Sequence, residues 1–138
     1  MPNWNQQIID EFHAKGGRGV TNFGDSLLLL TSTGARSGEK RTTPVMYHRE
    51  DRSLVIVASK AGAPEHPAWY HNLVAHPEAS VEIAGDGGIE RVTVRAREAQ
   101  GEERERIFAD RVAIAPTFAD YERKTSRKIP VIVLEPTG

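Results

Sequence analysis

The chain has 138 residues, no cysteine and a formal net charge of −1 at pH 7. This length predicts a single domain over 1–138, and the absence of cysteine excludes disulfides, thiol nucleophiles and cysteine-based metal sites. The near-neutral charge argues against a nucleic-acid partner. The N-terminus lacks the pattern of a signal peptide, and the longest apolar run is four leucines, so we expect a cytoplasmic protein.

Apolar residues at helical spacing predict an amphipathic helix near the N-terminus, ending near Lys15. Its apolar positions are Trp4, Ile8, Ile9 and Phe12, and the helix with its lead-in occupies 1–20. Two interpretations are open. The helix packs on the domain, which its non-cationic polar face favours, or it contacts a partner or the inner face of the cell membrane.

The remaining pattern is mainly β, with helices between some of the strands. We predict six strands at 26–32, 41–49, 54–60, 79–84, 89–97 and 129–134, and three further helices at 68–75, 102–112 and 117–124. Ile89, Val92 and Val94 are expected largely on one face of their strand, and Pro130 suggests that the last strand starts at a sheet edge. The fold class is therefore α+β, an antiparallel sheet or small barrel with peripheral helices.

The segment 31–44 is the most informative part of the sequence, because it places glycines, hydroxyls and cations between two apolar runs. Its glycines, Gly34 and Gly38, would allow close approach of backbone N–H groups to a ligand. Its cations are Arg36, Lys40 and Arg41. The spacing fits neither a Walker sequence nor a dinucleotide fingerprint. We interpret the segment as a phosphate or carboxylate site, with a solvated hairpin loop as the alternative.

Two further segments extend this candidate site. A hairpin of the strands 41–49 and 54–60 would bring Arg41 and Lys60 to the same end, and a second tight loop follows Lys60. The segment 66–72 combines two histidines with Trp69, Tyr70 and Asn72. Trp69 is either a core residue or a wall beside a planar ring, and Asn72 could bond ring or backbone edges.

Metal and hydrolase chemistry have little support in the sequence. His66, His71 and His76 are spaced by five residues, which rotates each by about 140° from the last on a helix, so they share no face. We therefore expect no metal. Ser59 has no nucleophile-elbow pattern around it.

Ordered blocks of sequence resemble the deazaflavin (coenzyme F420)-dependent nitroreductase and quinone reductase family of actinobacteria. The blocks are LLLLTSTGARSG at 27–38, RTTP at 41–44, ASKAGAP at 58–64, HPAWYHNL at 66–73 and DYERKTSRKIPV at 120–131. The resemblance implies a split β-barrel, similar to the FMN-binding split barrels. It also implies coenzyme F420, an 8-hydroxy-5-deazaflavin with a phospholactyl oligoglutamate tail. The activity implied is hydride transfer to a quinone, a nitroaromatic or a similar activated acceptor.

The same resemblance implies roles for individual residues. Arg36, Arg41 and Lys60 would hold the phosphate and acidic tail, with Ser37, Gly38 and Thr43 as further donors. The other cofactor-binding positions are Pro44, Val45, Val57, Ala58, Ser59, Ala63, Pro64, His66, Trp69 and Asn72. Ser59 and Tyr121 would be the catalytic residues, donating a hydrogen bond or proton to the acceptor. Ala115 and Phe118 stand where some members carry tyrosines, which favours a quinone over bulky nitroimidazoles.

Other functions compatible with the sequence are an FMN- or haem-binding split-barrel oxidoreductase and a non-catalytic carrier of F420 or of a fatty acid. The expected partner is a small-molecule acceptor, and a homodimer is left open.

Overall fold

The computed structural model describes residues 4–21, 23–50, 52–58, 66–125 and 128–137. The strands are β1 Leu27–Thr33, β2 Lys40–Glu50, β3 Ser53–Val57, β4 Glu78–Gly85, β5 Gly88–Glu98 and β6 Val131–Pro136. The helices are α1 Trp4–Ala14, α2 Ala68–Ala75, α3 Gly101–Ile114 and α4 Thr117–Lys124.

The six strands form a closed antiparallel barrel in the order β1-β2-β3-β6-β5-β4. This confirms the mainly β fold class with peripheral helices. The inference that Pro130 marks a sheet edge is wrong, because β6 pairs with β3 on one side and with β5 on the other. Proline is tolerated here because it precedes the strand, and its carbonyl accepts a hydrogen bond of 2.9 Å from the N–H of Ala58.

The four consecutive leucines of β1 divide between two hydrophobic clusters. Leu28 and Leu30 point into the barrel and pack in a core that includes Trp69 of α2. Leu27 and Leu29 point outward and pack against Phe12 of α1. All four are almost fully buried, because successive side chains of a strand face opposite sides and both sides of β1 are covered.

The apolar face of α1 packs on the outside of the barrel. Ile8 and Ile9 join Phe12 in the outer cluster around Leu27 and Leu29. Gly17 lets the chain turn back closely after the helix, since its φ is +81° and a Cβ there would lie 3.0 Å from the ring of Phe12. This agrees with the interpretation that the helix packs on the domain. Within the described residues, no helix is both long and apolar enough to span a membrane.

A third cluster lies between the outer face of β3 and β6 and the two C-terminal helices. Val55, Val57, Val131 and Val133 pack there against side chains that include Ile107, Phe108 and Phe118. On β5, Val92 and Val94 contribute to the barrel interior, whereas Ile89 packs against the α1 cluster. The expectation that these three residues share a face is therefore wrong for Ile89. It lies three and five positions before Val92 and Val94, and an odd offset along a strand places side chains on opposite faces.

Candidate functional site

The connection between β1 and β2 is a compact hydrogen-bonded loop. The N–H of Gly34 donates to the carbonyl of Glu39 over 2.7 Å, and the N–H of Gly38 donates to the carbonyl of Gly34 over 3.0 Å. Gly38 has a φ of +73°, a conformation that favours glycine. A Cβ on Gly34 would lie 2.5 Å from the hydroxyl of Ser37. The backbone conformation thus favours glycine at position 38, and a side chain at position 34 would force the Ser37 hydroxyl to move.

Asn72 of α2 ties this loop to the barrel. Its side-chain oxygen accepts a hydrogen bond of 3.0 Å from the N–H of Ala35, and its amide nitrogen lies 3.5 Å from the Ser32 hydroxyl. Asn72 is 9% exposed. The sequence suggests that this amide bonds either a ring edge or the backbone, and the structure shows a bond to the backbone.

Two arginines of the loop region line a pocket of about 510 Å³ beside α2. We call it the basic pocket; its walls are Gly34, Ala35, Arg36, Ser37, Arg41, Ala68, His71 and Asn72. Arg36 is exposed and has no ion pair or hydrogen bond within the described part of the chain, while a guanidinium nitrogen of Arg41 lies 3.7 Å from the Glu39 carboxylate. Lys40 turns away and donates to the Thr33 hydroxyl over 2.9 Å.

A second pocket of about 600 Å³ adjoins the first. We call it the apolar cleft; its walls are Asn5, Phe23, Thr43, Pro44, Val45, Met46, Val57, Pro67, Ala68, Trp69, Phe118 and Tyr121. Its volume lies within the range of small-molecule sites, about 300–1,000 Å³. Ala68 belongs to both pockets. The arrangement therefore suits a ligand with an apolar planar part and an anionic part.

Tyr121 presents a half-buried ring to the apolar cleft. The ring meets Phe118 edge to face with 5.3 Å between centroids, and the Lys124 ammonium lies 5.9 Å from the Tyr121 centroid. Among the residues that the structure describes, none hydrogen-bonds the Tyr121 hydroxyl. The group is therefore available to donate to a bound molecule.

Most of the site residues expected from the sequence come together in these two pockets. Arg36, Ser37, Arg41 and Asn72 line the basic pocket, and Thr43, Pro44, Val45, Val57, Trp69 and Tyr121 line the apolar cleft. Gly38 lies in the loop without lining either pocket. Ser59, Lys60, Ala63 and Pro64 fall outside the described residues.

Two expected residues lie elsewhere, and five unexpected ones line the cleft. Ala58 is fully buried in the barrel interior, and His66 packs on Tyr70 with 4.6 Å between ring centroids. The unexpected residues are Asn5, Phe23, Met46, Pro67 and Ala68. Met46, Pro67 and Ala68 could have been anticipated because they adjoin expected positions in the sequence, whereas no spacing in the sequence points to Asn5 and Phe23.

A buried polar group lies behind the Phe118 wall. The guanidinium of Arg111, which is 2% exposed, lies 5.0 Å from the centroid of the Phe118 ring. Burial lowers the pKa of Arg111. Burial is also the main reason why the pKa of His48 is lowered, although the Glu50 carboxylate, 3.3 Å from the imidazole, acts in the opposite direction. The positive charge of Arg111 also lowers the pKa of His48. His48 is therefore held neutral more strongly than a solvated histidine.

In α2, burial and then the hydrogen bond to Glu98 raise the pKa of Tyr70 to about 12. The Tyr70 hydroxyl donates to that carboxylate over 2.6 Å. Within the described ranges, no three histidine, aspartate or glutamate side chains are grouped so as to hold a metal ion.

Comparison with known proteins identifies the family. The sequence model for the F420H2-dependent quinone reductases matches residues 4–136. The chain belongs to this family. It is therefore an oxidoreductase whose cofactor is coenzyme F420, as the resemblance implied. The basic pocket and the apolar cleft, which share Ala68, offer the cations and the apolar wall that an anionic tail and a planar ring would need.

Relatives from mycobacteria carry the family name. The F420H2-dependent quinone reductase Rv1261c of Mycobacterium tuberculosis is 37% identical over 110 residues, 78% of this chain and 71% of that protein. The putative F420H2-dependent quinone reductase Rv3178 of the same organism is 35% identical over 109 residues, 79% of this chain and 88% of that protein.

Two solved structures resemble this chain in both sequence and fold, and a third resembles it in fold alone. The F420-H2 dependent reductase FDR-A has a TM-score of 0.71 and 42% identity, over 80% of this chain and 94% of its own. A structure described as a domain-swapped dimer has a TM-score of 0.73 and 38% identity, over 94% and 93%. HutZ, a haem storage protein of Vibrio cholerae, shares the fold with a TM-score of 0.64 and 12% identity, over 96% and 90%.

Proposed function

We propose that this protein reduces a quinone bound in the apolar cleft, using F420H2 whose acidic tail occupies the basic pocket. The observation that carries the proposal is that the two pockets share Ala68 as a wall residue. A molecule that passes Ala68 would place an anionic tail beside Arg36 and Arg41 and a planar ring beside Trp69. Nitroaromatics are a second acceptor class.

The basic pocket would hold the tail through charge-assisted hydrogen bonds from Arg36 and Arg41. Asn72 would act indirectly, since it fixes the backbone at Ala35. Lys60 remains a third predicted cation, and Ser59 remains a predicted donor beside the acceptor.

The apolar cleft would orient the ring and exclude water. Trp69 is 8% exposed, and Pro44 and Val45 of β2 line the same space. When bound, the reduced coenzyme supplies a hydride. The contribution of these side chains is proximity and orientation of the two reactants.

Tyr121 is our candidate proton donor. Reduction of a quinone by a hydride leaves an oxyanion, and one proton on that oxygen completes the quinol. The Tyr121 hydroxyl lies on the cleft wall and can donate the hydrogen bond or the proton. Phe118 lines the same wall and offers no donor, which supports a quinone in preference to a larger nitroimidazole.

The test is an anaerobic assay of the purified protein with F420H2 and menadione or a nitroaromatic. We expect menadione-dependent oxidation of F420H2 and a lower kcat in Tyr121→Phe. Binding of F420 without turnover would favour the carrier, and tighter binding of FMN or haem than of F420 would favour the alternative oxidoreductase. An unchanged kcat in Tyr121→Phe would remove this residue from catalysis.

We also propose that the protein forms a homodimer in solution, which the similarity to the domain-swapped structure supports. Light scattering during size-exclusion chromatography would give twice the 15.2 kDa chain mass. A mass of one chain at micromolar concentration would contradict this.

A further inference from the structure

One wall of the apolar cleft comes from outside the barrel. Asn5 lies near the start of α1, and Phe23 lies in the loop between α1 and β1. Phe23 is half-buried and packs at the margin of the outer cluster around Phe12. The N-terminal segment therefore contributes directly to the candidate site as well as packing on the barrel.

The register of β1 and β2 shows where along the cleft this wall lies. Leu27 pairs with Met46, whereas Thr33 pairs with Lys40 next to the basic pocket. Phe23 precedes Leu27 by four residues, so it lies at the Met46 end. A coenzyme anchored by its tail at the other end would point its ring toward Phe23. The space between the ring and this wall is then available to the acceptor.

The loop that carries Phe23 is fixed by one carboxylate. Glu11 accepts hydrogen bonds from the Thr21 N–H at 2.9 Å and the Thr21 hydroxyl at 2.7 Å. The same carboxylate oxygen accepts one from the Lys15 ammonium at 2.6 Å. The N–H of Phe23 in turn donates to the carbonyl of Val20 over 2.9 Å. These bonds make the wall a defined surface.

We propose that the N-terminal segment forms the wall that selects the acceptor, with Phe23 limiting the size of the quinone and Glu11 as a positioning residue. The quinones favoured would be naphthoquinones without a long side chain next to the reacting ring. This inference rests on the proposed function, because it assigns the acceptor end of the same cleft.

The first test compares menadione with a naphthoquinone that carries a geranyl side chain. Dissociation constants are measured by quenching of tryptophan fluorescence, which requires no turnover. Phe23→Ala should improve the affinity for the geranyl compound relative to menadione by about tenfold, within the usual range for opening an apolar pocket. Ile89→Ala is the matched control, because Ile89 packs in the same outer cluster but is not part of the cleft wall. It should leave the ratio unchanged.

The second test separates positioning by Glu11 from general stability. Glu11→Ala should raise the menadione dissociation constant severalfold and leave that of F420 unchanged. Glu11→Gln should restore much of the loss, since its amide oxygen can still accept from Thr21. Equal weakening of menadione and F420 would contradict a role confined to this wall.

The outcomes distinguish the two proposals. If neither quinone binds the parent protein, the proposed function fails and the inference fails with it. If both bind and Phe23→Ala leaves their ratio unchanged, the inference alone is overturned.

Discussion

Arg36 and Arg41 are available to a ligand at little energetic cost. Arg36 has no partner among the described residues, and the contact of Arg41 with Glu39 spans 3.7 Å between side chains that are 62% and 73% exposed. Exposed ion pairs of this kind contribute about 0–1 kcal/mol. An incoming phosphate or carboxylate could therefore engage both guanidiniums without breaking a strong internal interaction.

Replacing these arginines should weaken coenzyme binding specifically. Each charge-assisted hydrogen bond contributes about 1.5–3 kcal/mol, so Arg36→Ala and Arg41→Ala should each raise the F420 dissociation constant roughly tenfold to a hundredfold. Arg95→Ala is a suitable control, because Arg95 is similarly exposed and pairs with Glu78 at 2.8 Å. Titration of F420 with fluorescence detection measures the effect. Equal affinities of the double variant and the parent would disprove the basic pocket as the tail site.

Asn72 should matter through its oxygen more than through its nitrogen. Asn72→Ala leaves the N–H of Ala35 without its acceptor, a loss of about 1–3 kcal/mol if water does not replace it. Asn72→Asp keeps an acceptor for the Ala35 N–H, but it also places a buried carboxylate in the wall of the basic pocket, so its F420 affinity is not a clean control. We expect faster amide exchange at Ala35 and weaker F420 binding in the alanine variant. Amide exchange at Ala35 that is equally fast in both variants would show that the Ala35 bond is not the important one.

Glu11 should make stability depend on pH in the acid range. The hydrogen bond from Lys15, followed by those from Thr21, lowers the pKa of Glu11 from 4.5 to about 2. A lowered native pKa stabilises the fold above pH 4.5, and this contribution is lost as the pH falls toward 2. The difference in Tm between the parent and Glu11→Gln should be constant above about pH 5 and shrink below it. A difference independent of pH would contradict the shift.

At the scale of elements, β1 couples the barrel interior to α1. Leu28 and Leu29 are both fully buried, but they belong to different clusters. Replacement of either by alanine should cost about 2–5 kcal/mol. Only Leu29→Ala should also accelerate hydrogen exchange in α1, because only Leu29 supports the cluster around Phe12. Equal exchange of α1 in the two variants would show that the helix does not depend on this face of β1.

Local signals in the sequence were sufficient for most elements. The helix over 68–75 was predicted with its observed bounds, because Pro67 marks its start and the apolar pattern is clear. The basic loop was also recognisable from its residue types. By contrast, Asn5 and Phe23 reach the cleft only through the packing of α1 on the barrel, and this long-range contact cannot be inferred from the spacing of residues along the sequence. Closure of the barrel, which makes the prediction of a sheet edge at Pro130 wrong, is likewise a long-range property.

At the scale of the molecule, the positive charge of the site is local. The chain has 18 basic and 19 acidic residues and a net charge of −1, so its overall field does not attract an anionic coenzyme. The attraction must come from the arginines at the hairpin. Screening by salt should therefore act on the tail contacts and leave the ring contacts almost unaffected.

This separation can be measured with two ligands. Raising NaCl from about 50 to about 500 mM should weaken F420 binding severalfold through screening. It should change the affinity for a deazaflavin without phosphate and tail by less than about twofold. Parallel salt dependence for both ligands would show that the basic pocket does not contact the tail.

The loop that joins β1 to β2 is the tip of a hairpin whose strands are held by the barrel. Its own bonds, such as those of Gly34 and Gly38, lie within the tip. The bond from the Ala35 N–H to Asn72 ties the tip to α2, whereas an exposed side chain such as that of Arg36 can be exchanged without disturbing the core beneath it. A few exposed residues at this rim can therefore change the ligand affinity of the barrel while the packing of its strands stays the same.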